Sequence, residues 1–183
     1  MTTDQIGAVG VLLAAGAGTR YGAPKVLAQQ GKWLQLAVAA LVGGGCDEVL
    51  VMLGAAIVAV PPPARAIVVT DWAAGLSASL RAGLAAAKAG GAGFAVIHLV
   101  DIPDVSAEVV SRVLVATRAA PGGIGRARYG SRPGHPVVVA RSHWGELSEV
   151  LHGDAGARTF LRARGDVLHV DCSDLAAGID VDE

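Results

Sequence analysis

Short apolar runs alternate along the chain with longer segments in which apolar residues recur at helical spacing. Runs of four to seven residues, most of them rich in valine, isoleucine and leucine, are typical of strands. They predict strands at 9–13, 48–53, 66–70, 94–100, 125–129, 136–139 and 167–170. The helical spacing predicts helices at 33–42, 76–88, 107–117, 144–151 and 157–164. Because strands alternate with helices, we predict an α/β three-layer sandwich, in which a mostly parallel sheet lies between two helical layers.

The same alternation indicates how the domain is organised. The run 94–100 is apolar almost throughout, which predicts a central strand covered on both faces. Pro61, Pro62 and Pro63 form a stiff connector between two strands rather than a domain linker. Segment 122–136 is rich in glycine, arginine and proline, and we expect it to make a long excursion over the active face of the sheet. A length of 183 residues suits one sizeable core, so we predict a single domain over 1–183.

Composition argues against two classes of partner. The net charge of −1 gives no global field that attracts nucleic acid, although arginines cluster at 126–132 and 158–164. No apolar run approaches the roughly 20 residues that span a bilayer, so we expect no membrane partner. Residues 1–5 lack the regions of a signal peptide, which predicts a cytoplasmic location. Cys46 and Cys172 lie far apart without a CxxC pattern, and we predict buried thiols.

A glycine-rich segment, LLAAGAGTRYGAPK at 12–25, follows the first predicted strand. A dinucleotide fingerprint, GxGxxG, would need glycine where Tyr21 stands, and its acidic residue about 20 positions later is missing. A Walker A motif fails as well, because no lysine follows a glycine at its spacing and Lys25 is followed by Val26. The loop still suits a polyphosphate, since backbone N–H groups can approach phosphate oxygens and two cations stand nearby. A plain strand-to-helix turn with two solvated cations is the alternative.

The fuller segment LAAGAGTRYGAPKVL resembles the signature of MobA-like NTP transferases, written LAAGxGxRMGxxKxL, with Tyr21 in place of the commonest methionine. This resemblance implies a Rossmann-like, nucleotide-diphospho-sugar transferase-like form of the predicted sandwich. It also implies that the loop wraps the triphosphate of an incoming nucleotide, and that Arg20 and Lys25 are catalytic cations stabilising charge on the phosphates. The nucleotide-binding residues implied in the loop are Ala14, Ala15, Gly16, Gly18, Arg20 and Lys25.

Two carboxylates are candidates to hold the divalent cation, Mg²⁺, that nucleotidyl transfer needs. Asp101 follows the apolar run 94–100, where the carboxyl end of a central strand meets ligand. It also matches the DxP signature of the same family, whose aspartate binds metal and is catalytic. Asp180 resembles the aspartate of the family's GxDTPEDL segment, but Val181 and Asp182 replace its Thr-Pro. A solvated acidic tail is the alternative for Asp180.

The segment DWAAGLSASLRAGL at 71–84 resembles the WxxGLxxSLRxGL segment that contacts the nucleotide base in this family. It implies nucleotide-binding roles for Gly75 and Ser79, while a helix N-cap is the alternative for Ser77 or Ser79. We favour CTP as the nucleotide, and GTP stays open because these residues do not distinguish the two bases.

A narrower resemblance concerns the acceptor of the nucleotide. The segments SRPGHPV at 131–137 and GDAGAR at 153–158 resemble the GxxGHPV and GDxGAR motifs of molybdopterin (molybdenum cofactor) cytidylyltransferase-like proteins, with Ser131 in place of the first glycine. In that subfamily the acceptor is the terminal phosphate of the pterin. The resemblance implies that His135, Asp154 and Arg158 line the acceptor side, where the guanidinium fork of Arg158 suits an anion. A capped structural histidine and a turn that opens a helix are the alternatives.

The implied reaction is transfer of NMP, with CMP from CTP favoured, onto the phosphate of molybdopterin with release of pyrophosphate. A molybdoenzyme or its maturation factor is a further partner that this resemblance leaves open. A guanylyltransferase, a sugar-phosphate nucleotidylyltransferase and a non-catalytic cofactor-binding or insertion protein remain alternatives. A dinucleotide-binding oxidoreductase is disfavoured by Tyr21 and by the missing acidic residue.

Overall fold

The computed structural model describes residues 7–181, whose seven strands form one sheet in the order β3-β2-β1-β4-β6-β5-β7. Strand β6 is antiparallel to both of its neighbours, and the other neighbouring strands pair in parallel, so the predicted mostly parallel sheet is confirmed. The strands are β1 (Ala8–Leu13), β2 (Glu48–Leu53), β3 (Arg65–Val68), β4 (Phe94–Leu99), β5 (Ile124–Tyr129), β6 (Arg132–Ala140) and β7 (Leu168–Asp171).

Helices cover both faces of this sheet. They are α1 (Ala28–Gly43), α2 (Leu76–Ala89), α3 (Ala107–Ala119), α4 (Trp144–Val150) and α5 (Arg158–Arg162). Successive residues of a strand point to opposite faces, so Leu12 packs in the core under α1 and α3 while Val11 packs under α2, α4 and α5. Each apolar side chain that is fully buried in this way contributes about 1.5–3 kcal/mol. The three-layer α/β/α architecture is therefore confirmed.

The start of α1 departs from regular helix. Gln29, Gln30 and Gly31 have φ values of 51°, 57° and 80°, so the chain makes a left-handed turn there. The regular part of α1 follows this turn, close to the predicted start at residue 33. Trp33, at the beginning of that part, packs against Tyr21 of the glycine-rich loop with ring centroids 5.4 Å apart. Tyr21 thus joins the loop to the helical layer.

The prediction for segment 122–136 is wrong in one respect. The segment is no excursion over the sheet but part of the sheet, because β5 and β6 form a hairpin with a tight turn at 130–131. Proline lacks the N–H that a central strand needs, which disguised β6 in the sequence. Pairing of β6 with β4 begins only at Val137, so Pro133 and Pro136 lie where β6 has one neighbour.

Several smaller expectations concern the ends and the cysteines. Residues 1–6 and 182–183 lie outside the described residues, and so do the prediction about a signal peptide and the last two residues of the acidic tail, whereas Asp180 is described and exposed. Within residues 7–181, no helix is both long and apolar enough to cross a membrane.

Cys46 and Cys172 are free and buried, as predicted. Burial raises the pKa of Cys46 to about 12, so this thiol stays protonated at neutral pH.

A buried histidine stands out in the core. His98 of β4 has no exposed surface, and neither ring nitrogen has a hydrogen-bond partner within the described part of the chain. Because burial penalises the charged ring, the pKa of His98 falls from 6.5 to about 4, although Asp104 opposes that shift. Below pH 6.5 the unfolded chain therefore takes up a proton on this residue that the folded protein refuses.

This difference in proton uptake makes the free energy of unfolding depend on pH. The pKa of His98 is lower in the folded protein than in the unfolded chain. Its contribution to the free energy of unfolding is therefore present above pH 6.5 and is lost as the pH falls. Between pH 7 and pH 5, linkage gives a loss of about 2 kcal/mol for His98 alone. Over that interval the free energy of unfolding of His98→Leu, measured by urea unfolding, should fall by about 2 kcal/mol less than that of the parent protein.

The control for this prediction is His169→Leu, which removes an exposed histidine from β7. It should keep the pH dependence of the parent protein. An equal pH dependence for His98→Leu and the parent would show that His98 is not the group responsible.

Candidate functional site

The glycine-rich loop begins where β1 ends and is folded by close backbone contacts. Gly18 has a φ of 59°, and a Cβ there would overlap the carbonyl oxygen of Ala23, so this position requires glycine. The N–H of Gly22 donates to the carbonyl of Gly18 at 2.8 Å and closes the turn. The N–H of Ala14 already donates to Met52, so Ala14 offers a ligand no free N–H. Gly16, by contrast, is exposed, and nothing lies within 4 Å of the position of a Cβ.

The central polar contact is an ion pair between Lys25 and Asp101. Lys25 Nζ donates to Asp101 Oδ2 at 2.8 Å, and the two side chains are only 14% and 18% exposed. Lys25 follows the loop after β1, and Asp101 follows β4. These strands are adjacent and parallel, so both residues arise at the same edge of the sheet. The structure thus brings together two of the three residues predicted to be catalytic. The third, Arg20, is exposed on the loop.

The segment that carries Asp180 is held against the same edge by backbone hydrogen bonds. The N–H of Val181 donates to the carbonyl of Asp101 at 2.9 Å. The N–H groups of Ala177 and Gly178 both donate to Asp104 Oδ2, at 2.8 and 2.9 Å. Asp104 was not singled out as a site residue by its sequence context, yet it anchors this segment beside Asp101.

The donor set at this edge bears on the implied divalent cation. No group of three or more His, Cys, Asp or Glu side chains lies close enough to hold a metal anywhere in residues 7–181. Mg²⁺, however, is commonly bound by one or two carboxylates with the remaining positions filled by water and substrate phosphates. The Val181 contact brings the backbone beside Asp180 to that of Asp101, and a pair of carboxylates is a donor set of this kind. They do not fit a metal bound by protein ligands alone.

A small cavity of about 220 Å³ lies between the glycine-rich loop and the start of α2. Its lining includes Gly16, Gly75 and the buried Ser79, which the sequence predicted as nucleotide-binding residues. Gly75 has a φ of 107°, and a Cβ there would lie 2.6 Å from the backbone of Gly153, so a side chain has no room. The loop at 153–156 can therefore approach α2 closely. Ser77, also in α2, is buried with no hydrogen-bond partner for its Oγ among the described residues.

A large cavity of about 390 Å³ lies on the same side of the sheet, and Leu13, Leu76 and Asp154 line both cavities. Asp154 Oδ1 accepts a hydrogen bond from the N–H of Leu76 at 3.2 Å, which ties its loop to the first residue of α2. The predicted acceptor residues His135, Asp154 and Arg158 all line the large cavity together with Asp180. The structure therefore brings this predicted group together.

His135 is electrically neutral in this cavity. Burial, with smaller contributions from His98 and Arg126, lowers the pKa of His135 from 6.5 to about 3. At neutral pH its ring can therefore donate or accept a hydrogen bond, but it brings no charge to a ligand. Its backbone carbonyl accepts a hydrogen bond from Tyr129 Oη at 2.7 Å, which fixes this part of β6.

Three further arginines line the large cavity, and sequence reasoning assigned no role to them. They are Arg126, Arg132 and Arg162. The signal that could have found them was present, because the arginine clusters at 126–132 and 158–164 stand out in a chain of net charge −1. What the sequence lacks is the pairing of β5 with β6, which brings the first cluster to the cavity.

Relatives of this chain give the site a context. A protein of Paenarthrobacter nicotinovorans, "Nicotine blue oxidoreductase", is 40% identical over 98% of this chain and 94% of its own length. The structure of Rv0371c from Mycobacterium tuberculosis H37Rv is 29% identical, with a TM-score of 0.76, covering 96% of this chain and 93% of that one. Rv0371c is also known in complex with manganese, again at 29% identity, with a TM-score of 0.72 and coverage of 96% and 94%.

A more distant structure supports the fold alone. The 4-diphosphocytidyl-2C-methyl-D-erythritol synthase of Anaerococcus prevotii is 12% identical, with a TM-score of 0.68, and the match covers 97% of this chain and 91% of that one. The family model "MobA-like NTP transferase domain" matches residues 10–168, which include the loop, Asp101 and the hairpin. The chain therefore belongs to the MobA-like NTP transferase family.

Proposed function

We propose that the protein transfers a nucleoside monophosphate, with CMP from CTP favoured, onto the phosphate of a molybdopterin-type acceptor. An acceptor oxygen would attack the α-phosphorus of the nucleotide while the bond from that phosphorus to the bridging oxygen of the β-phosphate breaks. The electron pair leaves with pyrophosphate, so no side chain has to act as the nucleophile. The protein's part is to orient two anionic groups and to offset their charge.

The observation that carries this proposal is the largely buried ion pair between Lys25 and Asp101 beside the glycine-rich loop. It holds a cation and a carboxylate at the edge of the sheet where β1 and β4 end and where the backbone beside Asp180 is bound. Leu13 and Leu99, the last residues of these two strands, line the large cavity. The loop and Lys25 would bind the triphosphate, and the small cavity would take the base. The acceptor would occupy the large cavity beside His135, Asp154 and Arg158.

Asp101 and Asp180 would hold the proposed Mg²⁺. When bound, such a cation offsets the charge of the phosphates and polarises them. The manganese complex of Rv0371c supports a divalent cation in this family, because Mg²⁺ and Mn²⁺ share a preference for oxygen ligands. Lys25 provides the counter-charge to the Asp101 carboxylate.

A second candidate function follows from the 40% identical relative, which is named an oxidoreductase. In that case the large cavity would bind a conjugated substrate, and a nicotinamide dinucleotide would serve as electron donor. The glycine-rich loop disfavours this candidate, because Tyr21 and the missing acidic residue break the dinucleotide fingerprint.

One screen separates the candidates. The purified protein is heated with Mg²⁺ and CTP, GTP, ATP, UTP, NADH or NADPH, because a ligand that binds only the folded state raises the unfolding temperature. We expect CTP to give the largest rise, and pyrophosphate release when reduced molybdopterin is added. A rise with NADH or NADPH only, together with bleaching of nicotine blue, would establish the oxidoreductase instead. Pterin binding without pyrophosphate release from any nucleotide would favour a carrier.

Asp101→Asn tests the predicted catalytic carboxylate. Removing its charge while keeping its shape should lower pyrophosphate release about 100-fold or more, the usual cost of one group that stabilises transition-state charge. The matched control is Asp166→Asn, because Asp166 pairs with Arg164 and precedes β7 instead of following a strand. Near-normal turnover by Asp101→Asn, with the control also active, would remove Asp101 from the reaction.

Asp104 holds the segment that carries Asp180 in place, although it is not itself a predicted metal ligand. Asp104→Ala should raise the Mg²⁺ concentration needed for half-maximal rate about 10-fold, as for other groups that hold a ligand in place. The KM for the nucleotide should change little. Asp104→Asn keeps an acceptor oxygen and should restore most of the affinity for Mg²⁺. An unchanged Mg²⁺ requirement in Asp104→Ala would contradict the role of this anchor.

A further inference from the structure

Eight of the twelve arginines of this chain form two groups that differ in their partners. Outside the large cavity, four of them each form an ion pair with a carboxylate: Arg65 with Glu48, Arg112 with Asp174, Arg128 with Asp171 and Arg164 with Asp166. The four that line the large cavity have no carboxylate within 4.0 Å among residues 7–181. The same cavity is lined by only two carboxylates, Asp154 and Asp180, so its lining has an excess of positive charge that no ion pair within the described residues holds.

Arg126 is the least exposed of these four arginines. It is half-buried on β5, and its guanidinium donates to the carbonyl of Gly134, at 3.3 and 3.4 Å. Burial and the nearby positive charge of Arg158 both lower the pKa of Arg126. Arg158 is exposed, so the cost of burial and of this repulsion falls on Arg126, and an anion bound beside both groups would offset it.

The chemistry of the proposed reaction gives a reason for this arrangement. Attack of one phosphate on another brings two anions together, and their repulsion must be offset on both sides. Lys25 lies on the side of the glycine-rich loop, paired with Asp101. On the other side, the neutral ring of His135 supplies no charge. The excess positive charge of the large cavity comes from its arginines.

We propose that Arg126 and Arg158 together form a subsite for a doubly charged anion, the phosphate monoester of the acceptor. Arginine suits this task, because its planar fork can donate two parallel hydrogen bonds to phosphate oxygens. The apolar side chains of Leu80, Ile97 and Leu161 line the same cavity and would contact the body of that molecule. Arg126 is then a specificity-determining residue that selects a phosphate monoester over a neutral or singly charged ligand.

The identity of the acceptor rests on the proposed function, but the anion subsite can be tested without any nucleotide. Phenyl phosphate is the probe, since it combines a dianionic phosphate with an apolar ring. Benzenesulfonate and phenol provide a singly charged and a neutral ring. Calorimetry should show phenyl phosphate binding at least about 10-fold more tightly than benzenesulfonate, and phenol binding more weakly still.

The variants separate this subsite from the glycine-rich loop. Arg126→Gln should weaken phenyl phosphate binding about 10-fold or more, the usual cost of a charged hydrogen bond. Arg126→Lys, which keeps the charge but not the fork, should lose less. Lys25→Ala should keep affinity within about 2-fold, because its ammonium lies on the nucleotide side. Arg128→Gln, two residues along β5 and paired outside the cavity, is the matched control and should bind normally.

Each outcome decides the matter. Loss of binding in Arg126→Gln, with a native circular dichroism spectrum and a normal Arg128→Gln, supports the subsite. Loss in Lys25→Ala but not in Arg126→Gln would overturn it, and so would equal affinity for phenyl phosphate and phenol. If no nucleotide raises the unfolding temperature while phenyl phosphate still needs Arg126, the proposed transfer fails and the subsite stands.

Discussion

The parallel pairing of β1 with β4 is the constraint on which the site depends. The two strands run in register from Ala8 opposite Phe94 to Leu13 opposite Leu99, so they end at the same level. Everything that follows either strand must begin at this edge of the sheet. For β1 that is the glycine-rich loop with Lys25, and for β4 it is Asp101. Backbone hydrogen bonds and a core packed on both faces maintain this strand register. The register brings the loop that carries Lys25 to the level of Asp101, where the ion pair of 2.8 Å forms.

The molecule places its charged and titratable side chains in two different environments. Arginines at its outer surface pair with exposed carboxylates, and such pairs contribute about 0–1 kcal/mol to stability. Those in the large cavity form no ion pair within the described residues and outnumber its two carboxylates, while burial keeps His98 and His135 neutral. The folded state therefore bears the cost of keeping a buried and a half-buried histidine uncharged, and of the repulsion between Arg126 and Arg158. A ligand of opposite charge would relieve the second cost.

Much of the fold follows from the sequence, because period and burial are local properties. Every predicted strand and helix exists, and β2 has the predicted bounds. The hairpin of β5 and β6 was disguised, since the prolines that argue against a central strand lie where β6 has one neighbour. For the site, motif spacing selected His135, Asp154 and Arg158, which line one cavity. Asp104 and Arg126 could not be found in this way, because their partners lie far along the chain or arise only from strand pairing.

The antiparallel direction of β6 has a consequence for how such a protein can change. Because β6 runs against its neighbours, the hairpin brings Arg126, Arg132 and His135 to the large cavity from one continuous segment of fewer than twenty residues. The glycine-rich loop, Lys25 and Asp101 come from other elements. The two halves of the site can therefore vary separately, since exchanging one hairpin would alter what the large cavity accepts and leave the other half in place. A family whose relatives carry the names of different activities could have diversified by this route.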